Sequence, residues 1–260
     1  MTLTPIKPNF ETYPVELQAF LSGVKLYDSS CSPEARVIFI DKDSGYFLKS
    51  APKGTLEREA AMTRYFHTKG LSANVLYTIS DIHDWLMTEK IKGEDCIAEK
   101  YLAQPERLCD TLAERLVLLH NTDFTDCPIG NHSALLLASA EQGKQKHRFD
   151  RNIANMYGIK SPEEAWAIVE SHGHLLESNT LLHGDYCLPN IILDNWLFSG
   201  FIDLDTAGAG DRHVDLFWAT WTLFFNLKTD KYRDRFIDAY GRTQVDPDML
   251  RVVAAIEVFG

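Results

Sequence analysis

At 260 residues, with 45% hydrophobic, 24% charged and 11% aromatic residues, the chain has the makeup of a globular protein with a sizeable core, and one large domain or two smaller ones both fit. A formal net charge of -11 argues against work on nucleic-acid backbones, which needs a basic face, and favours a small cationic ligand. The five cysteines, Cys31, Cys96, Cys109, Cys127 and Cys187, include no Cys-x-x-Cys pair, which sets aside a zinc site and a disulfide framework.

The opening MTLTPIKPNFETYPVELQAFL lacks the basic flank and apolar run of a signal peptide, and the apolar stretch at 216–225 is too short to span a bilayer. A reducing cytoplasm is the expected compartment. Residues 34–49, EARVIFIDKDSGYFLK, read as a β-hairpin with a Gly-containing turn. That turn fails as a calcium loop, because Gly45 falls where a ligand belongs and Pro52 where the closing Glu belongs. A helix follows, with Leu56, Ala60, Met62, Thr63 and Phe66 at helical spacing and Gly70 as its stop. Strand-like pieces at 73–78 and 85–89 complete a small mixed domain, which ends near residue 92 at the connector KIKGED.

Beyond it the pattern is mainly helical. DTLAERLVLLH places Leu112, Leu116, Val117 and Leu119 on one face with Asp110 as cap. Ser161-Pro162-Glu163-Glu164 supplies a cap, a first-turn proline and a capping-box glutamate. Another helix is expected from Asp230, closed by Gly241, and a last one near Asp246-Pro247. Within this helical half, the IIL and FSGFID runs flank a turn at Asp194-Asn195 and read as a short hairpin. Trp218, Trp221, Phe224 and Phe225 at helical spacing read as core.

A β-rich domain, a connector and a helical domain containing a loop full of acceptors suit a nucleotide-binding enzyme. Magnesium takes carboxylate and amide oxygens and shares them with phosphates, so Asn190 and Asp203 are suitable ligands. Asp185, five residues before Asn190, can accept a proton from an attacking hydroxyl.

The motifs His183-Gly184-Asp185 with Asn190, Gly200-Phe201-Ile202-Asp203, and then Gly208, Asp211, Arg212 and Asp215 resemble those of the aminoglycoside phosphotransferases. Leu188-Pro189-Asn190 and "SGFID" look most like the members that phosphorylate the 3'-hydroxyl. The resemblance implies an α+β, two-lobed protein-kinase-like fold: a small β-rich nucleotide-binding lobe over residues 1–92, a hinge at about 87–93, and a larger helical catalytic and substrate-binding lobe over 93–260. It implies Asp185 as catalytic base, Asn190 and Asp203 as Mg2+ ligands, His183 ordering the catalytic loop and Asp215 bracing it. Lys49 would grip the phosphates of ATP or GTP, paired with Glu59. Phe47 would stack on the base, Thr88 and Lys90 lie in the hinge, and Ser32 lies in the loop over the phosphates.

For the cationic substrate the resemblance implies Asp150, Glu257 and Phe259. Two departures stand out: Phe225 falls where the family has a substrate-facing glutamate, and Asp205 where the 3'-modifying members have glycine. The loop carrying Lys144, Lys146, His147, Arg148 and Arg151 is also unusually basic. The expected partners are a nucleoside triphosphate and a small cationic hydroxylated molecule, with no nucleic acid and no membrane, in a monomer or weak dimer. The activity implied is phosphorylation of an aminoglycoside, conferring antibiotic resistance. The rival readings are a kinase of the same fold acting on a macrolide, sugar or amino alcohol, and a nucleotide-binding module that regulates a partner.

Overall fold

In the computed structural model the described residues are 3–260 apart from Pro8, Ser32 and Glu34. The chain divides into two compact units, Met1–Asp95 with Ile191–Asp205, and Cys96–Asn190 with Thr206–Gly260. In the first unit β1 (Thr4–Ile6), α1 (Val15–Leu21), β2 (Lys25–Asp28), β3 (Arg36–Asp41), β4 (Tyr46–Pro52), α2 (Glu57–Thr68), β5 (Val75–Ser80) and β6 (His83–Glu89) follow in order. The strands form a six-stranded antiparallel sheet in the order β1-β2-β3-β4-β6-β5.

Alternation along the strands divides this sheet into two faces. Ile38, Ile40, Leu48, Trp85 and Met87 pack with Leu17 and Leu21 of α1, whereas Ala51 and Leu86 pack with Leu56 and Ala60 at the start of α2. Each fully buried Leu, Ile or Met contributes about 1.5–3 kcal/mol. The same alternation sends Lys49, flanked by Leu48 and paired with Leu86, to the face that α2 covers. Asp84 fixes where α2 begins, because its Oδ2 accepts the Leu56 amide at 3.0 Å while Ser80 Oγ donates to Oδ1 at 2.7 Å.

After β7 (Glu94–Asp95) the second unit runs through α3 (Glu99–Leu102), α4 (Pro105–His120), α5 (His132–Gln145), α6 (Arg151–Met156), α7 (Pro162–His172) and β8 (Thr180–Leu182). Asp110 does not cap α4. Pro105 opens that helix, and Asp110 lies inside it, taking the Arg235 guanidinium through two hydrogen bonds of 2.9 and 2.6 Å. Ser161 does cap α7, its hydroxyl accepting the Glu164 amide at 3.2 Å.

The hairpin of β9 (Ile191–Asp194) and β10 (Leu197–Phe201) groups with the first unit rather than within the helical half. β9 pairs with β7, Phe201 meets Phe66 at 6.2 Å, and Ser72 Oγ donates to the Phe201 carbonyl at 2.8 Å. Its turn sits one residue later than expected: Asn195 and Trp196 carry φ values of 50° and 72°, the left-handed pair that a tight hairpin requires.

The chain then completes the second unit with β11 (Gly208–Gly210), paired to β8, and α8 (His213–Leu227), α9 (Arg233–Tyr240) and α10 (Pro247–Glu257). α9 starts at Arg233 rather than Asp230 and is closed by Gly241 at φ 115°; Asp246 caps α10 by accepting the Asp248 amide at 2.8 Å. α8 buries Val214, Leu216, Phe217, Ala219 and Leu223, but Phe224 and Phe225 are 44% and 50% exposed. The reading of its whole aromatic set as core is therefore corrected. Among the described residues no helix is long and apolar enough to cross a membrane.

Candidate active site

In the second unit, β8 runs directly into the loop 183–190. Gly184 adopts φ +84°, and a Cβ there would lie 2.0 Å from the Thr206 carbonyl oxygen, so glycine alone fits this turn. The loop is held from below by Asp215 of α8, a carboxylate with 0% exposure. Asp215 accepts the Gly184 amide at 2.7 Å and the His183 amide at 2.9 Å. His183 Nδ1 in turn accepts the Asp185 amide at 3.3 Å. Asp185 is thus presented by a loop in which the amides of residues 183–185 are already satisfied.

Asn190 completes the arrangement, its Nδ2 donating to Asp185 Oδ2 at 2.8 Å and to the Asp185 carbonyl at 3.1 Å. That use of the amide nitrogen leaves the amide oxygen as the hard donor suited to a metal ion. Cys187, in the same loop, has its thiol pushed well up by burial and by the charge of Asp185. It stays protonated and takes no part in nucleophilic chemistry.

Sequence reasoning sets His120, at the end of the LVLLH run, against the catalytic loop and Asp215 as its brace, but not the bonds that join them. His120 Nε2 lies 3.2 Å from Asp215 Oδ2, and His120 Nδ1 lies 2.7 Å from the Tyr240 hydroxyl. Burial lowers the His120 pKa below its usual value, outweighing the charge of Asp215. A neutral ring donating from Nε2 to Asp215 can accept the Tyr240 hydroxyl at Nδ1. Tyr240, an apolar-face residue by its spacing, gives no sign of this role in the sequence.

The first unit gathers a charge cluster. Lys49 Nζ lies 2.7 Å from Glu59 Oε2 of α2 and 2.8 Å from Asp203 Oδ1, just after β10. Burial alone would lower the Lys49 pKa, but Glu59 and Asp203 together raise it, so the ammonium is held charged. Burial pushes the Glu59 carboxyl up to about 7 against the pull of Lys49. Asp203 sits at φ 59°, a left-handed conformation that Asp tolerates better than most residues and that marks functional turns.

Asp205 belongs to the same cluster. Its side chain is exposed, and its carboxyl is raised by desolvation, with the charges of Arg58 and then Lys49 opposing the rise. Among the other expected nucleotide residues, Phe47 and Thr88 are register partners on the face that carries Lys49, and Phe39 stands beside Phe47 with ring centroids 5.3 Å apart. The Lys90 amide is donated to the Gly45 carbonyl at 3.0 Å and the Glu89 amide to Asn74 at 3.1 Å. Neither amide is therefore open to a base edge. Ser32 lies outside the described residues.

The expected substrate residues divide. Glu257 Oε1 accepts the Trp218 indole N–H at 3.1 Å, and burial pushes its carboxyl up to about 8. Phe259 is 1% exposed, packed against Trp166 and Phe149, so its ring is buried rather than a contact surface. Asp150 is exposed and caps α6, accepting the Asn152 and Ile153 amides at 2.7 and 3.1 Å.

Comparison with known proteins gives the following. The model of the phosphotransferase enzyme family matches residues 29–253. A probable aminoglycoside 3'-phosphotransferase of Lactococcus lactis subsp. lactis (strain IL1403) is 52% identical over 259 residues, covering 99% of each chain. Among solved structures, an aminoglycoside-3'-phosphotransferase of type VIII superposes with a TM-score of 0.73 at 20% identity, covering 94% of this chain and 97% of that one. An aminoglycoside phosphotransferase from Streptomyces rimosus ATCC10970, in complex with ADP and streptomycin, gives a TM-score of 0.72 at 20% identity over 95% and 99%.

Proposed function

The chain belongs to the phosphotransferase enzyme family, and from that premise we propose that it transfers the γ-phosphoryl group of Mg-ATP or Mg-GTP to the 3'-hydroxyl of an aminoglycoside, conferring resistance. The observation that carries this reading is the loop at 183–190, where Asn190 and the Asp215-braced backbone hold the Asp185 carboxylate ready to accept a proton. The 3'-hydroxyl assignment is supported by the Lactococcus lactis relative, a probable aminoglycoside 3'-phosphotransferase.

Asp185 orients the acceptor hydroxyl and takes its proton as the new O–P bond forms. The bond from the γ-phosphorus to the β-phosphate oxygen breaks, releasing a nucleoside diphosphate and the phosphorylated aminoglycoside. Phosphoryl transfer depends mainly on positioning and charge. Lys49, fixed by Glu59, supplies the cation for the phosphates, and Phe39 and Phe47 offer the base an aromatic surface.

The donor set fits Mg2+: an amide oxygen from Asn190 and a carboxylate from Asp203 are hard ligands, and among the described residues no group of three or more His, Cys, Asp and Glu is gathered as an all-protein metal cage. Asn190 and Asp203 are the residues that would hold Mg2+, which when bound would supply charge neutralisation for the phosphates. A cytoplasmic location agrees with the odd number and wide spacing of the five cysteines.

The test is a coupled nucleotide-turnover assay across aminoglycosides with and without a 3'-hydroxyl, and across unrelated alcohols. Turnover confined to acceptors bearing the 3'-hydroxyl supports the assignment. A flat response to all of them would remove it.

A further inference from the structure

Trp218, Trp221 and Phe225 follow one another on α8 at intervals of three and four residues, so they share one side of the helix. Trp218 and Trp221 meet edge to face with centroids 5.5 Å apart, and Trp221 stacks on Phe225 at 4.9 Å with the planes 7° apart. The inner end of this row is tied to the catalytic loop. Trp218 donates to Glu257 at 3.1 Å, Glu257 feels the charge of Asp185, and the neighbouring Thr222 hydroxyl accepts the Leu188 amide at 3.2 Å. The outer end is the half-exposed Phe225.

The row therefore runs from the stretch of α8 that holds the catalytic loop and Glu257 out to solvent, within one unit. Phe224 belongs to another side of the helix, where it lines a separate cavity of about 440 Å³ with Thr220, Asn155 and Arg233. Aromatic faces attract cations and pack against the C–H faces of sugar rings. Phe225 already does the first: Lys228 Nζ stands 4.2 Å from its centroid. An incoming ammonium group can take the place of the Lys228 ammonium.

Resting on the phosphotransfer reading above, we propose that Trp218, Trp221 and Phe225 form a specificity platform on which the aminoglycoside lays an amino-sugar ring remote from the phosphorylated hydroxyl. Acceptors long enough to reach Phe225 are preferred over short ones. A π-face at position 225 holds cations without the carboxylate that the family resemblance places there, and it also accepts uncharged ring surface.

The experiment compares steady-state kinetics of wild type, Trp221→Ala, Phe225→Ala and the control Phe224→Ala with a two-ring and a three-ring aminoglycoside, and follows tryptophan fluorescence as each acceptor is titrated. The expected result is a KM for the three-ring acceptor raised about fivefold in Trp221→Ala and Phe225→Ala, with kcat and the two-ring KM held. Phe224→Ala behaves as wild type, and the three-ring acceptor perturbs wild-type fluorescence more than the two-ring one. Because Trp221 is half-buried, Phe225→Ala decides the case if Trp221→Ala does not fold. An active wild type whose three-ring KM is unchanged by Phe225→Ala overturns the platform alone. A wild type that phosphorylates no aminoglycoside removes the functional reading and the platform with it.

Discussion

Asp215→Asn probes the support of the catalytic loop with little change of shape. The native carboxylate is fully buried; Oδ1 takes the Gly184 amide at 2.7 Å, and Oδ2 takes the His183 amide at 2.9 Å and faces His120 Nε2 at 3.2 Å. An asparagine keeps one acceptor and turns the other oxygen into a donor, so at least one loop amide is left facing an N–H group. Losing one hydrogen bond to a charged acceptor costs about 1.5–3 kcal/mol, and stranding its buried donor costs roughly 1–3 kcal/mol more, so about 4 kcal/mol is expected. For a protein of this size that lowers Tm by roughly 8–16 °C. The loop also loses its fixed position, and a displacement on the order of 1 Å at the reacting carboxylate can lower kcat by roughly 10²-fold. Thermal melts followed by circular dichroism, with steady-state turnover below the melt, measure both effects. A variant that melts within about 1 °C of wild type and keeps its kcat would refute the bracing role.

Asp185→Ala is expected to cut turnover by about 10²- to 10⁴-fold while a fluorescent nucleotide still binds; near-native turnover would reassign the base. Gly184→Ala must place a methyl group 2.0 Å from the Thr206 carbonyl oxygen at φ +84°, so its soluble yield and Tm should fall together. His120 has a folded pKa below 6.5, so the unfolded chain takes up the proton first. Its contribution is present above about pH 6.5 and is lost as pH falls through that value towards the folded pKa. Urea midpoints measured downward from neutral pH should therefore fall more steeply for wild type than for His120→Gln. Chelating divalent cations with EDTA should abolish turnover, and excess Mg2+ should restore it; an EDTA-insensitive enzyme would exclude the roles proposed for Asn190 and Asp203.

The parts legible in the sequence are those set by short-range rules. Alternation in YFLKS sends Lys49 to the side opposite Leu48, whereas its 2.7 Å pairing with Glu59 was legible only through the family resemblance. The caps at Ser161 and Asp246 are equally local. Asp110 misled because Asp is a common cap, whereas the true start lies upstream at Pro105 and Asp110 answers a partner far along the chain, Arg235. The bonds that hold His120 there, to Asp215 and Tyr240, and the hold of Asp84 on the start of α2 were illegible for the same reason: they join residues distant in sequence, and no periodicity announces them. The aromatic set of α8 misled differently, since helical spacing identifies a shared side but does not say whether that side is covered.

The return of β9 and β10 to the first unit bears on how such a protein can be cut or recombined. A fragment ending at residue 95 would keep the six-stranded sheet but lose Asp203 from Lys49, Phe201 from Phe66 and the carbonyl that Ser72 reaches. The nucleotide-side unit is written in two separate passages of the gene. A crossover between them would exchange half of its charge cluster while leaving the other half behind, so a viable chimera has to swap both passages together.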